Sequence, residues 1–439
     1  MEKLLIKFQF VFIVAIIILG FWLRSDNLYT WPRLGSTFDE YAWTWLGVSL
    51  IEDQAPRSWS RHPQYSDRED IIYQKTAFVL VKPYLEHPPL FGLVAGSYAL
   101  LTGTEGMFDV RIEGIRGFSL VLGVFSIFMV YVFAKEVYGL KVALASSLIY
   151  ATVPTIVIGS RIVQNENFFI PFFLLSLFLV ARYIKSGKSW LRNVSAIICG
   201  LLTLAKVPWI AAGISIFLIF LYLRRYSDAG KFIAIVVPIF LLFFVYGFYF
   251  DSKLFLSLWQ MQLTRYDLAF NSVFALFTSP YLVDRFMIDG WIYFGWFAFF
   301  LIMARELKKN FLIVIPLLTY FAIFVFAIPN EPSHGWYRYP FYPFLVLSIV
   351  LFLKEYFGKN YLLTFFFLVF VGLSLLQLSW VPSFGFSFLV FRIFLLFFGL
   401  TMLPYFIPRT NRLSHFSSHA SLFLLILLNI WSVFNYNEQ

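Results

Sequence analysis

Two adjacent carboxylates, Asp39 and Glu40, sit in Thr37-Phe38-Asp39-Glu40-Tyr41, about fifteen residues past the first hydrophobic run. A carboxylate beside a membrane can take a proton from an acceptor hydroxyl or hold a divalent cation. The competing reading is a solvated loop with two ordinary surface acids. Tyr41, Trp43 and Trp45 follow at alternate positions, as suits an interfacial aromatic belt and equally a sugar-binding wall. A second carboxylate with a neighbouring imidazole stands in Tyr84-Leu85-Glu86-His87-Pro88-Pro89-Leu90. Its two prolines open a short helix, and Glu86 either complements that helix start or converges on Asp39.

Three further polar clusters interrupt apolar runs. Ser160-Arg161-Ile162-Val163-Gln164-Asn165-Glu166-Asn167 is richer in amides and charge than a turn requires. Lys206, before Val207-Pro208-Trp209, is a lone cation between two closely spaced runs. It can hold a lipid phosphate or simply snorkel to the interface. His334-Gly335-Trp336-Tyr337-Arg338-Tyr339-Pro340 offers Arg338 as a phosphate clamp and Tyr337 and Tyr339 as hydrogen-bond donors. Asp39, Glu40, Glu86, His87 and His334 supply enough ligands for a divalent cation, and the sequence leaves open whether they meet.

The elements that must position these residues are membrane helices. Of 439 residues, 60% are hydrophobic, 22% aromatic and only 13% charged, more apolar surface than a soluble interior can hide. The expected fold class is all-α and polytopic, with about 13 transmembrane helices in one integral membrane domain over 1–439. The first is Leu5 to Leu23, with no small-residue cleavage site after it. The single cysteine, Cys199, falls in a hydrophobic run and is expected to be core filler.

Lys and Arg placement fixes the expected orientation. With Leu90 to Leu101 read as a juxtamembrane helix, eighteen basic residues fall on the side of Lys3 and Lys7, and six fall in the short loops opposite. Counting 90–101 as a span would invert the rule. The N-terminus is therefore expected in the cytoplasm of a multi-pass plasma membrane protein, with 24–114 as a long external catalytic loop, 251–286 as a second external loop and 346–439 as C-terminal helices. All five polar clusters then share the external face. The net charge of +10 is a topology signal, and no nucleic-acid partner is expected.

Taken in order, these stretches resemble the C-type superfamily of polyprenyl-phosphate-sugar-dependent glycosyltransferases, near the protein O-mannosyltransferases and the aminoarabinose–lipid A transferases. The resemblance rests on Phe38-Asp39-Glu40, on Glu86-His87-Pro88-Pro89-Leu90, on an arginine leading into the second span (Arg111 or Arg116), on Ser160-Arg161 with Glu166, on Lys206, and on Trp336 to Pro340. It covers roughly 1–345. The acid after Ser-Arg is often aspartate in the family, where Gln164 and Glu166 stand here.

The resemblance implies transfer of a sugar from a polyprenyl-phosphate donor to a protein, lipid or glycan acceptor on the external face. Asp39 would act as general base in a single inverting displacement, with Glu40 and Glu86 as supporting acids. His87, Arg161, Glu166, Lys206, Arg265, Tyr337 and Arg338 would bind substrate, the cations stabilising the departing phosphate. Some relatives bind a divalent ion and others do without. A transporter or lipid-carrier flippase is the alternative, but such proteins place charges near the midplane, and here Arg392 is essentially the one charge within a span.

Overall fold

The computed structural model describes residues 7–264, 273–274, 276–277, 282–283, 289–327, 334–376 and 388–438. The chain is overwhelmingly helical, and six of its described helices are long and apolar enough to cross a membrane. Helices α1 (Gln9–Ser25), α2 (Asp39–Glu52), α3 (Leu90–Leu101), α4 (Ile112–Tyr138), α5 (Leu140–Thr152), α6 (Pro154–Gly159), α7 (Asn165–Ser186), α8 (Ser189–Thr203) and α9 (Ile210–Tyr222) make up the first half. Then follow α10 (Tyr226–Thr264), α11 (Gly290–Ala327), α12 (Tyr342–Tyr356), α13 (Tyr361–Leu376), α14 (Phe388–Gly399), α15 (Leu403–Phe406) and α16 (Asn411–Phe434).

Two runs that read as separate spans are joined in one helix, and other runs give short helices. Helix α10 bends at Asp251, which leaves helical geometry. Helix α11 breaks at Glu306 and again at Asn310, so two runs share one helix. Six further apolar helices among the described residues are shorter, at 10–17 residues. Apolar windows in the sequence register burial in lipid or protein alike, so the count of thirteen is not one that helix lengths reproduce.

The loop after α1 is a folded layer with more than helices in it. It holds α2, α3 and a three-stranded antiparallel sheet ordered β1-β3-β2 (β1 Ser58–Trp59, β2 Arg68–Tyr73, β3 Thr76–Val81). Strands β2 and β3 form a hairpin from Arg68↔Val81 to Tyr73↔Thr76. Gln74 and Lys75 turn it with φ of 48° and 66°. A two-residue turn with both φ positive normally advertises itself by Asn or Gly. Gln-Lys carries no such signal, and the sequence reading found no strands.

Helices α2 and α3 cross backbone to backbone. A Cβ on Gly47 would lie 1.8 Å from the Gly92 carbonyl oxygen, and one on Gly96 would lie 2.5 Å from Gly47 C and Val48 N. Only glycine permits that approach. The crossing fixes the start of α2, which bears Asp39, against the segment Glu86-His87 that leads into α3.

Candidate active site

Asp39 is the first residue of α2, where a carboxylate complements the helix dipole. Its own N–H donates to Thr37 Oγ1 at 3.2 Å. Its Oδ2 accepts from Gln164 Nε2 at 3.0 Å. The Gln164 amide is oriented by two fixed partners: Trp43 Nε1–H, a pure donor, reaches its oxygen at 3.3 Å, and Thr37 Oγ1 accepts from its nitrogen at 3.2 Å. Asp39 is half-buried and lines a polar chamber of about 400 Å³.

Glu40, next in the chain, points elsewhere. It is fully buried in a fork with Arg116, whose Nε and Nη2 donate to its two oxygens at 3.0 and 2.9 Å. Val163 N–H adds a third bond at 3.1 Å. Arg116 Nη1 meanwhile donates to the Leu28 and Pro32 carbonyls. Grouped with the catalytic acids by sequence, Glu40 sits in a buried ion pair and does not line the chamber. A helix turns by about 100° per residue, so adjacent acids face different surroundings. Of the two arginines offered for the second span, Arg116 meets Glu40, while Arg111 is exposed beside Asp109 at 3.7 Å.

Glu86 and His87 both line the chamber. Glu86 Oε2 lies 3.4 Å from His62 Nε2. The His87 ring packs on Trp43 with centroids 5.0 Å apart. Lys206 is buried and donates to Glu166 Oε1 at 2.8 Å, with its Nζ 4.8 Å from the Tyr337 ring centroid. Burial pushes the Lys206 pKa down, but the Glu166 carboxylate and Tyr337 more than reverse this and hold it above the usual lysine range. Lys206 and Tyr337 line the chamber, whereas Glu166 acts from behind Lys206.

The remaining expected residues lie elsewhere. Arg161 is buried and donates to the Leu23 carbonyl at 2.8 Å and to Trp31 O at 3.4 Å, capping the end of α1 rather than facing the chamber. Arg338 is buried, its Nη1 donating to His334 O at 3.3 Å, and is not among the residues lining the chamber. Arg265 lies outside the described residues. The amides flanking Glu166 are taken up by carbonyls and one indole: Asn165 Nδ2 donates to Ala205 O at 2.8 Å while its Oδ1 accepts from Trp209 Nε1 at 2.6 Å, and Asn167 Nδ2 donates to Gly159 O and Ile162 O.

Sequence reasoning missed the wall supplied by the sheet layer. Trp59, Ser60, Arg61 and His62 line the chamber opposite the helices. Trp59 Nε1 donates to Phe38 O at 3.2 Å, and Arg61 lies over the Trp59 ring at 5.7 Å. Trp336 joins them, stacked on His334 at 4.3 Å with planes 11° apart. The run Ser58-Trp59-Ser60-Arg61-His62 is dense in polar and aromatic side chains, and that density was the available signal.

The chamber shares part of its wall with a second cavity of about 290 Å³. Leu85, Val207, Phe243, Phe255, Leu258, Trp259, Leu263 and Ile323 make its walls apolar, and Glu86, His87, Lys206 and Tyr337 are common to both spaces. A charged, aromatic chamber thus meets an apolar groove at one buried lysine. Among the described residues, no group of three or more His, Cys, Asp or Glu side chains is placed to hold a metal ion. Asp39 accepts from the Gln164 amide, and Glu86 lies beside His62.

Residues 86–249 match the family model described as dolichyl-phosphate-mannose-protein mannosyltransferase. Superposition on the crystal structure of ArnT from Cupriavidus metallidurans bound to undecaprenyl phosphate gives a TM-score of 0.56 at 13% identity, covering 97% of this chain and 77% of that one. The fold is that of the C-type membrane glycosyltransferases. The resemblance seen in the sequence holds. A second C-type structure, the oligosaccharyltransferase AglB from Archaeoglobus fulgidus in complex with an inhibitory peptide and a dolichol-phosphate, superposes with a TM-score of 0.53 at 11% identity. It covers 98% of this chain, which spans 57% of AglB's length. An uncharacterized protein from Aquifex aeolicus is 26% identical over 352 residues, 78% of this chain and 67% of its own length.

Proposed function

We propose that this protein transfers a sugar from a polyprenyl-phosphate donor to an acceptor, with inversion and with Asp39 as the general base. One observation carries the reading: a polar chamber holding Asp39 meets an apolar groove at Lys206. A prenyl chain fits the groove, its phosphate falls beside Lys206, and the sugar projects into the chamber toward Asp39. Undecaprenyl phosphate in ArnT and dolichol-phosphate in AglB support a carrier of this chemical class.

In the reaction, the acceptor hydroxyl or amine gives its proton to Asp39 while attacking the anomeric carbon. The bond to the carrier phosphate oxygen breaks and the phosphate leaves with the electron pair. One displacement inverts the carbon and needs one placed base. The Gln164 amide holds that base in position. Lys206 counters the charge growing on the phosphate. Trp59 and Trp336 supply flat apolar faces for a sugar ring, and Glu86 with His62 is placed to bind hydroxyls. The acceptor is a protein, lipid or glycan.

The same layout supports a chamber on the external face. Helix α7 begins beside the chamber at Asn165 and runs 22 residues to Ser186, about 33 Å at the α-helical rise and close to the hydrocarbon thickness. Arg182, Lys185 and Lys188 cluster at its far end. With basic residues facing the cytoplasm, the chamber faces outward, and the thirteen apolar runs fit a multi-pass plasma membrane protein with its N-terminus inside.

The test is Asp39→Asn in purified protein with a prenyl-phosphate sugar. Transfer should fall by about 10²–10⁴-fold while insertion and thermal melting stay unchanged. Full activity in that variant would remove Asp39 as base.

A further inference from the structure

At the end of α7 remote from the chamber lies another cleft, of about 460 Å³, which plays no part in the proposed chemistry. Its rim carries Arg182, Lys185 and Lys188 against one carboxylate, Glu136. Glu136 draws the first two together: Arg182 Nη1 lies 3.1 Å from Oε2, and Lys185 Nζ lies 2.9 Å from Oε1 and also bonds the Glu136 carbonyl oxygen. Three cations facing one acid leave the cleft with a positive surplus. Both paired cations stay 58% exposed at their side chains.

The floor and exit of the cleft are apolar. Phe178, Leu179 and Leu191 form the floor, and Trp190 stands at the rim. From Trp190 an exposed apolar stripe runs along α8 through Val194, Ile197 and Leu201. Steps of four, three and four residues keep these on one helix face. They run from the cleft along nearly the whole length of α8, in the direction an acyl chain takes from its headgroup. An indole beside a basic cluster marks the membrane–water interface, and basic pockets between helices suit anionic lipid headgroups. The α8 N-terminus, which no side chain caps, adds its dipole to the same side.

We infer that this cleft between α4, α7 and α8 is a binding site for an anionic phospholipid. The phosphate lies among Arg182, Lys185 and Lys188, and an acyl chain lies along Trp190, Val194, Ile197 and Leu201. A lipid commits the site more firmly than a soluble phosphate does, because the stripe continues the cleft without a break.

The full-length protein in detergent, loaded with phosphatidylglycerol or phosphatidylcholine, tests this by native mass spectrometry. Wild-type protein should retain phosphatidylglycerol preferentially. Lys188→Gln should lower retention by about fivefold, the scale expected for one cation at an anionic surface. Trp190→Ala, which keeps every charge, should lower it with the melting temperature unchanged. Lys308→Gln, at a basic turn elsewhere, should leave it alone. Equal retention of the two lipids, or unaltered retention in both the Lys188 and Trp190 variants, would overturn the proposal. Release of the lipid by millimolar inorganic phosphate would reassign the cleft to a soluble phosphate and overturn it too. Both tested side chains are exposed, so misfolding is not the expected result of either change.

Discussion

Asp39 and Glu40 differ in their partners. Asp39 meets a neutral amide and a cavity; Glu40 meets a buried guanidinium. Removing the charge of Glu40 strands Arg116, and an unpaired buried charge costs about 3–5 kcal/mol. Glu40→Gln should therefore lower the melting temperature and the yield of folded protein, while folded molecules keep their activity. Asp39→Asn should do the reverse, and identical behaviour of the two variants would refute the division. Lys206 gives a pH test. A lysine whose folded pKa is raised contributes stability fully below its unfolded value of about 10.4. That contribution is lost only as pH rises through the higher folded value, so wild-type activity should show no Lys206 limb between about pH 6 and 9. Glu166→Gln removes the largest of the groups that oppose burial, leaving Tyr337 and Asp39 to oppose it alone. The alkaline limb of the pH–rate profile should then move down toward neutrality. Superimposable profiles would show that the Lys206 charge plays no part in transfer.

At the scale of elements, the α2–α3 crossing governs the site. It sets the start of α2 against the segment before α3 through Gly47, Gly92 and Gly96. Gly96→Leu must push the two backbones apart, and overpacking of this kind costs about 1–3 kcal/mol. The expected outcome is a lower melting temperature together with loss of transfer, since Asp39 and Glu86 no longer face one chamber. Gly114→Ala is the control: nothing lies within 4 Å of a Cβ there, and the change should be neutral within about 0.5 kcal/mol. The Pro88-Pro89 step and the apolar period of 90–101 made α3 legible in the sequence. The sheet was not legible, because its hairpin turns on Gln74-Lys75 and because β2 is largely exposed, so it lacks a clean inward face.

Over the whole molecule, two ends of the bundle carry opposite chemistry. The chamber and groove occupy one end and the Arg182–Lys188 cleft the other. The C-terminal segment closes on the chamber end: Tyr436 packs edge-on against Trp31, and Glu438 accepts from Arg33 N–H at 3.0 Å. If the groove holds the prenyl chain, a charge in its wall should repel that chain without touching the chemistry. Leu263 lines the groove and is 69% exposed. Leu263→Asp should raise KM for the prenyl-phosphate donor by about tenfold, equivalent to ~1.4 kcal/mol, with kcat retained. A kcat loss at constant KM would place the donor elsewhere. Sequence alone determined the membrane class, through an apolar content that only lipid can absorb. It also determined the order of the polar clusters, because each is a local break in an apolar run. Only the tertiary structure decided which polar residues meet. Arg161, Arg338 and Glu40 have the right chemistry, but each is spent on carbonyls or on a buried partner. Trp59, with His62 just beyond it, reaches the chamber on β1, which pairs with β3 rather than with the next strand in the chain, and a carboxylate's partner is a fact of packing that chain position does not encode.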